Sequence, residues 1–131
     1  MSLMPDKGSA LPPFLDVEEL LRRYTVLLEL YAELESVSGI AFTAIENGSS
    51  PLLIRENLAM KMSVAERIVR ESRVIAGMKR TLLEEGALDS RDRTRVRRRE
   101  GELTRAVDRI VEQENRSRDL VMQRGVKITR R

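Results

Sequence analysis

The stretch Glu46-Asn47-Gly48-Ser49-Ser50-Pro51 decides the fold of this chain, because it separates two long helical patterns. Asn47-Gly48 offers a residue that tolerates positive φ, which commonly ends a helix. Ser50 can cap a new helix, and Pro51 suits its first position, where no N–H donor is needed. The sequence therefore predicts a chain reversal here and an antiparallel helical hairpin around it.

The helix before the turn is predicted to begin at Asp16, which can act as its cap, with Glu19 at the spacing of a capping box. Its apolar residues repeat with heptad spacing, and Leu21 and Leu28 widen the stripe to the width typical of a bundle helix. Gly39 lies in a patch of small residues where another helix can approach closely. The two heptad sets are Val17, Tyr24, Tyr31, Ser38 and Ile45, and Leu20, Leu27, Leu34 and Ala41.

The helix after the turn is predicted to run from about Pro51 to Glu84. A second apolar stripe follows it at alternating steps of three and four residues, which is the spacing of a buried helix face. We expect this stripe to pack against the first helix. Its members are Ile54, Leu58, Met62, Ala65, Val69, Ser72, Ala76 and Leu83, with Ile68, Ile75 and Leu82 beside them.

A second break lies at Glu85–Ser90, where Gly86 can adopt positive φ and either Asp89 or Ser90 can cap a third helix. We place that helix from about Arg91 to Arg124, with Gly125 ending it. Short connections make neighbouring helices antiparallel. The predicted fold is all-α: an elongated helical hairpin plus a third long C-terminal helix, in an up-down-up three-helix bundle. The expected organisation is an N-terminal tail at 1–15, one helical domain at 16–124 and a basic tail at 125–131.

The composition narrows the classes of function. The chain has 131 residues with 41% apolar side chains, four aromatic residues, no cysteine and no histidine. Without these two residue types it lacks disulfides, thiolate metal sites, the commonest general base and the commonest zinc ligand. No apolar run is long enough to span a bilayer. We therefore expect a cytoplasmic protein that is not an enzyme, with no catalytic residues, no metal site and no cofactor.

Charge is distributed unevenly along the chain. Residues 1–90 carry ten basic and fourteen acidic side chains, whereas residues 91–131 carry fourteen basic and seven acidic ones. The basic excess is densest at the start of the third helix. Its arginines are a candidate anion-binding set that could contact nucleic acid, or they could pair with acidic residues of the first two helices. The set is Arg91, Arg93, Arg95, Arg97, Arg98 and Arg99.

The second half of the third helix carries an apolar stripe that weakens between Val111 and Leu120. Such a stripe either completes the core of the bundle or receives the amphipathic helix of a partner protein. The candidate partner-binding residues are Leu103, Val107, Ile110, Val111, Asn115, Leu120 and Val121.

Several stretches together resemble bacterial flagellar export chaperones of the FlgN-like type. The similar stretches are Leu27–Glu35, Ala41–Asn47, Leu52 to Lys61 with Asn57-Leu58, and Val107 to Val121 with Val111-Glu112-Gln113-Glu114-Asn115. The resemblance covers residues 17–124. It implies a non-enzymatic chaperone for protein export, whose C-terminal helix binds an amphipathic terminal helix of a hook–filament junction subunit of the flagellum. The seven residues of the weak stripe would then form the contact.

Three hypotheses remain open from the sequence. The leading one is a helical protein-binding protein of the export-chaperone kind. A second is a basic helical protein that associates with nucleic acid through Arg91–Arg99. A third is a structural coiled coil that associates with itself, which would make the chain a homo-oligomer.

Overall fold

The computed structural model describes residues 16–129, with side chains to residue 123, and these residues form three long helices. The predicted all-α, up-down-up arrangement is confirmed. The predicted tail at 1–15 and the last two residues lie outside the described part. The helices are α1 (Val17–Glu46), α2 (Pro51–Glu84) and α3 (Ser90–Thr129).

The first connection forms as the sequence predicts. Gly48 adopts φ 69°, and the backbone N–H groups of Asn47, Gly48 and Ser49 donate to carbonyls of the last turn of α1. The Ser50 hydroxyl then accepts from the N–H of Leu53, with Pro51 at the start of α2. At the other end of α1, the Asp16 carboxylate accepts from the N–H of Glu19 at 2.8 Å. These local contacts satisfy backbone groups that a helix end leaves without partners.

The second connection resolves the choice between two capping residues. Gly86 adopts φ 66°, and the carboxylate of Asp89 accepts from the N–H of Asp92 at 2.8 Å. Asp89 is therefore the cap, and α3 begins at Ser90. The prediction that Gly125 ends α3 is wrong, since the helix continues to Thr129. A glycine inside a helix costs about 1 kcal/mol relative to alanine but does not by itself stop the helix.

Helix α1 is the centre of the molecule. Both α2 and α3 pack against it, and its buried side chains form the largest part of the core. The heptad residues Leu20, Tyr24, Leu27 and Leu34 are buried as predicted. Three further buried positions, which the heptad sets did not include, are Leu30, Val37 and Ala44.

The main stripe predicted to bury α2 is wrong by one residue, whereas Ile68, Ile75 and Leu82, which were predicted beside it, are buried. The buried face of α2 consists of Asn57, Val64, Ile68, Ile75, Met78 and Leu82. By contrast, Leu58, Met62, Val69 and Leu83 are between 42% and 65% exposed. A step of one residue turns a helix by about 100°, so the two stripes lie on neighbouring faces. Only the stripe that begins at Asn57 faces α1.

The core becomes thinner toward the hairpin turn. Large buried side chains cluster where Leu20–Leu34 of α1 meets Val64–Leu82 of α2 and the first half of α3. Beyond Leu34, the buried residues of α1 are mainly small, namely Val37, Ser38, Ala41 and Ala44. Among the described residues, Ile110 is the last buried apolar residue of α3. At this end of the molecule, α2 and α3 therefore pack against small side chains of α1.

Candidate functional site

A groove lies between α2 and α3 at the hairpin end of the molecule. In the described part of the chain, no Cα of α2 lies within 8 Å of a Cα of α3, whereas α1 packs closely against both. The space between them has a volume of about 690 Å³ and a mostly apolar lining. We call it the hairpin-end groove. Its lining residues are Ala41, Ile45, Gly48, Ser49, Ile54, Leu58, Lys61, Glu114, Ser117, Arg118, Val121 and Met122.

Small side chains on α1 form the floor of this groove. Ala41 is buried there, and the bulkier Ile45 is half-buried beside it. The walls are apolar: Ile54 and Leu58 come from the start of α2, and Val121 and Met122 come from α3. Leu58, Val121 and Met122 are each at least 43% exposed. Exposed apolar side chains that converge on a concave surface are typical of binding sites.

A polar cluster closes the groove on the side of the core. The Glu114 carboxylate accepts a hydrogen bond from the Ser38 hydroxyl at 3.1 Å and pairs with the Lys61 ammonium group. These three residues come from α3, α1 and α2, so one carboxylate links all three helices. Ser38 is buried, and its hydroxyl has a partner because Glu114 reaches it.

A second cluster of the same kind lies further from the groove. The Glu100 carboxylate accepts from the Tyr24 hydroxyl at 3.3 Å and from the Lys79 ammonium group at 2.5 Å. Tyr24 is 3% exposed. Its burial, together with the nearby Glu100 charge and hydrogen bond, raises the pKa of the Tyr24 phenol well above the usual value. The two clusters, centred on Glu100 and Glu114, thus join α3 to α2 at two points along their length.

The seven candidate partner-binding residues separate into three environments. Ile110 is buried and Leu103 packs against the core, so both help to hold α3 on α1. Val121 lines the hairpin-end groove and Leu120 next to it is half-buried. Val107, Val111 and Asn115 are exposed, and the Asn115 side chain accepts from Arg118 at 2.7 Å.

The groove residues of α1 and α2, and Met122 of α3, were not among the predicted site residues. Ile45, Ile54, Leu58 and Met122 all line the groove. The sequence shows an apolar run there, Leu52-Leu53-Ile54, but only the structure shows that this run precedes Asn57, the first buried residue of α2. An apolar run before the core begins indicates surface that the bundle does not itself cover.

The six predicted anion-binding arginines fall into two groups: three make contacts within the described chain, and three are exposed without such a role. Arg95 forms two hydrogen bonds with the Glu18 carboxylate, at 2.9 and 3.2 Å, and this raises the pKa of its guanidinium group. Arg99 pairs with Glu102, and the Arg93 side chain donates to the carbonyl of Leu88.

The remaining three arginines, Arg91, Arg97 and Arg98, are exposed. In the described part of the chain, no carboxylate oxygen lies within 4 Å of a guanidinium nitrogen of Arg97 or Arg98. Part of the basic run thus serves to attach α3 to α1, and the exposed part is interrupted by these internal pairs.

Metal sites and membrane spans receive no support from the described residues. Among residues 16–129, no group of three or more acidic side chains is arranged to hold a metal ion. None of the described helices is long and apolar enough to cross a membrane. The chain matches no protein-family model, and neither curated proteins nor solved structures gave a significant match. The hairpin-end groove, with its mostly apolar lining between two helices, is the candidate site that the geometry offers for a protein partner.

Proposed function

We propose that this chain is a non-enzymatic binding protein that holds an amphipathic helix of a partner protein in the hairpin-end groove. The observation that supports this function is the groove itself, which has apolar walls from two helices and a volume of about 690 Å³. Amphipathic helices are commonly recognised by laying their apolar face into such a groove between helices.

The dimensions of the groove suit a short helical segment. Its α3 wall runs from Glu114 to Met122, which corresponds to about 12 Å, or roughly two helical turns. Apolar anchors at positions i, i+3 or i+4 and i+7 of a bound helix would contact Ile54, Leu58 and Val121. The polar face of that helix would lie near Arg118 at the groove edge, where acidic side chains are favoured, because the charge of Lys61 is already paired with Glu114.

The resemblance to flagellar export chaperones suggests which partner this is. We infer a cytoplasmic chaperone for protein export, which covers the amphipathic terminal helix of a hook–filament junction subunit until export. The contact would involve the groove rather than the whole apolar stripe of α3, because Leu103 and Ile110 are already used by the core.

Two matched methionine variants test whether the groove binds a helix. Met122→Glu places a charge in the groove, whereas Met60→Glu places the same charge at a similarly exposed position outside it. The probe is a labelled peptide carrying the C-terminal amphipathic helix of a hook–filament junction subunit, and fluorescence anisotropy gives its Kd. We expect Met122→Glu to raise the Kd by about tenfold or more, since it replaces an apolar wall residue with a charge that faces the apolar side of the bound helix. Met60→Glu should leave the Kd unchanged.

Two other results would contradict parts of the proposal. Equal Kd values for both variants would exclude the groove as the binding site. Binding no tighter than that of a peptide with the same composition in scrambled order would exclude recognition of an amphipathic helix. Limited proteolysis gives an independent measurement, since bound peptide should protect residues 103–124 from cleavage.

A further inference from the structure

The exposed apolar face of α2 is continuous and regular. We call it the outer stripe, and it consists of Leu58, Met62, Ala65, Val69, Ser72, Ala76 and Leu83. Its spacing alternates between four and three residues, and Lys79 occupies the one position in the series that is not apolar or small. This is the repeat of a coiled-coil seam. The stripe covers about 38 Å of helix, or more than three heptads.

No helix of the described chain covers the outer stripe. Its four large side chains are between 42% and 65% exposed, although they lie beside a well-buried core face. A helix that carries two adjacent heptad stripes is suited to pack against two different helices. Helix α1 occupies the first stripe, and the second has the length and spacing for another long helix.

The outer stripe is complementary to itself when two copies run antiparallel. With Val69 of one copy opposite Ser72 of the other, Ala65 lies opposite Ala76 and Leu58 opposite Leu83. Small residues thus meet at the centre, where they allow close approach of the helices, and leucines meet at both ends. Met62 lies opposite Lys79, whose ammonium group is directed to Glu100, so that its methylene groups can pack against the methionine.

Charges beside the stripe agree with the same register. Glu66 and Arg73 flank the stripe on the same side, are both exposed, and lie opposite each other in the antiparallel pair. Two-fold symmetry makes this ion pair twice. A parallel pair would instead place Glu66 beside Glu66 of the second copy and Arg73 beside Arg73, which brings like charges together. The antiparallel arrangement also aligns the helix dipoles favourably.

We propose that this chain forms a two-fold symmetric homodimer through the outer stripe of α2, with the two α2 helices antiparallel and Glu66 of each copy paired with Arg73 of the other. The dimer is independent of the helix-binding function proposed for the groove, apart from Leu58, which belongs to both surfaces. Variants that separate the two are therefore available.

Disulfide cross-linking tests the register directly, because the natural chain contains no cysteine. In the double variant Ala65→Cys/Ala76→Cys, the cysteine at position 65 of one copy lies opposite the cysteine at position 76 of the other copy. We expect mild oxidation to give a covalent dimer. Ala65→Cys alone should stay uncross-linked, since its two copies are about 16 Å apart along the antiparallel pair. Cross-linking of the single variant would indicate a parallel pair and overturn the proposal.

Sedimentation equilibrium of charge variants tests the interface without oxidation. Glu66→Arg and Arg73→Glu should each weaken the dimer by about fivefold or more, because each creates two repulsive pairs. The double variant Glu66→Arg/Arg73→Glu should restore the affinity. Val69→Glu should weaken the dimer by about tenfold or more, whereas the groove variant Met122→Glu should not.

A wild-type chain that stays monomeric at about 100 µM would overturn the proposal, since the dissociation constant of the dimer would then lie well above that concentration. A double charge variant that associates no better than the single ones would also overturn it. Neither result would affect the test of the groove, which uses Met122 and Met60.

Discussion

Glu100 and Glu114 occupy equivalent positions two heptads apart on α3, and each links all three helices. Each carboxylate accepts from a hydroxyl group of α1, supplied by Tyr24 and Ser38, which are also two heptads apart. Each also pairs with a lysine of α2. Because α2 and α3 lack close backbone contact in the described residues, these two carboxylates connect α3 to α2. Ion pairs of Arg95 with Glu18 and of Arg109 with Glu35 add polar connections between α3 and α1.

Replacing Glu114 by alanine is expected to lower the free energy of unfolding by about 1 kcal/mol. The buried Ser38 hydroxyl would lose its acceptor and Lys61 its counterion, while partial exposure of the pair limits the loss. Glu112→Ala is the matched control, since Glu112 is exposed on the same helix. Urea unfolding followed by circular dichroism measures both. Equal effects of the two variants would contradict a role for Glu114 in attaching α3.

The start of α3 gives a second prediction. Asp89→Ala should lower the free energy of unfolding by about 1 kcal/mol, because the N–H of Asp92 loses its acceptor at the helix end. Ser90→Ala should change it by less than about 0.5 kcal/mol, since the Ser90 side chain is exposed and is not the cap. Thermal unfolding of the two variants under identical conditions compares them. A larger loss for Ser90→Ala would mean that the helix begins one residue later.

The chain reversals were predictable because their causes are local. Gly48 and Gly86 have positive φ, and Asp16 and Ser50 cap helices as their sequence contexts indicate. The choice between the two stripes of α2 was not predictable in this way. Both have heptad spacing and apolar residues, so the pattern does not distinguish the face that contacts α1 from the one that stays exposed. That choice depends on how two helices fit together across the core.

The candidate site was only partly accessible from the sequence for a related reason. Apolar spacing predicts Val121 as a contact residue, and Val121 does line the groove. Ile110 has the same spacing and is buried in the core, because α3 packs on large side chains there and on small ones further along. Pattern analysis finds an apolar face but not the point along it where the helices separate. The role of the seven predicted residues in partner binding stays a prediction.

The contact between Gly39 and Gln113 gives a third prediction. A Cβ at position 39 would lie 3.2 Å from the amide end of Gln113. Alanine inside a helix is favoured over glycine by about 1 kcal/mol, but here the Gln113 side chain would have to move. We expect Gly39→Ala to stabilise the Gln113→Ala variant more than it stabilises the wild type, by about 0.5 kcal/mol.

A double-mutant cycle of unfolding free energies, from Gly39→Ala, Gln113→Ala and their combination, measures this difference. Additive effects would show that α3 does not press against α1 at Gly39.

Tyr24 should make the chain sensitive to high pH. Burial first, and then the charge and hydrogen bond of Glu100, raises the pKa of its phenol in the folded state above that in the unfolded state. A group whose pKa is raised by folding stabilises the protein fully below its unfolded pKa of about 10, and this contribution is lost as pH rises above that value. The slope due to Tyr24 approaches about 1.4 kcal/mol per pH unit.

Urea unfolding at a series of pH values from about 9 to about 11 measures this slope. Tyr24→Phe keeps the ring in the core but removes the ionising group, so its stability should decline less steeply than that of the wild type. Burial also raises the pKa of Tyr31, and Tyr31→Phe is the control with a smaller expected effect because no carboxylate contributes to its shift. Parallel pH profiles for wild type and Tyr24→Phe would contradict the assigned environment of Tyr24, and with it the contact between Glu100 and α1.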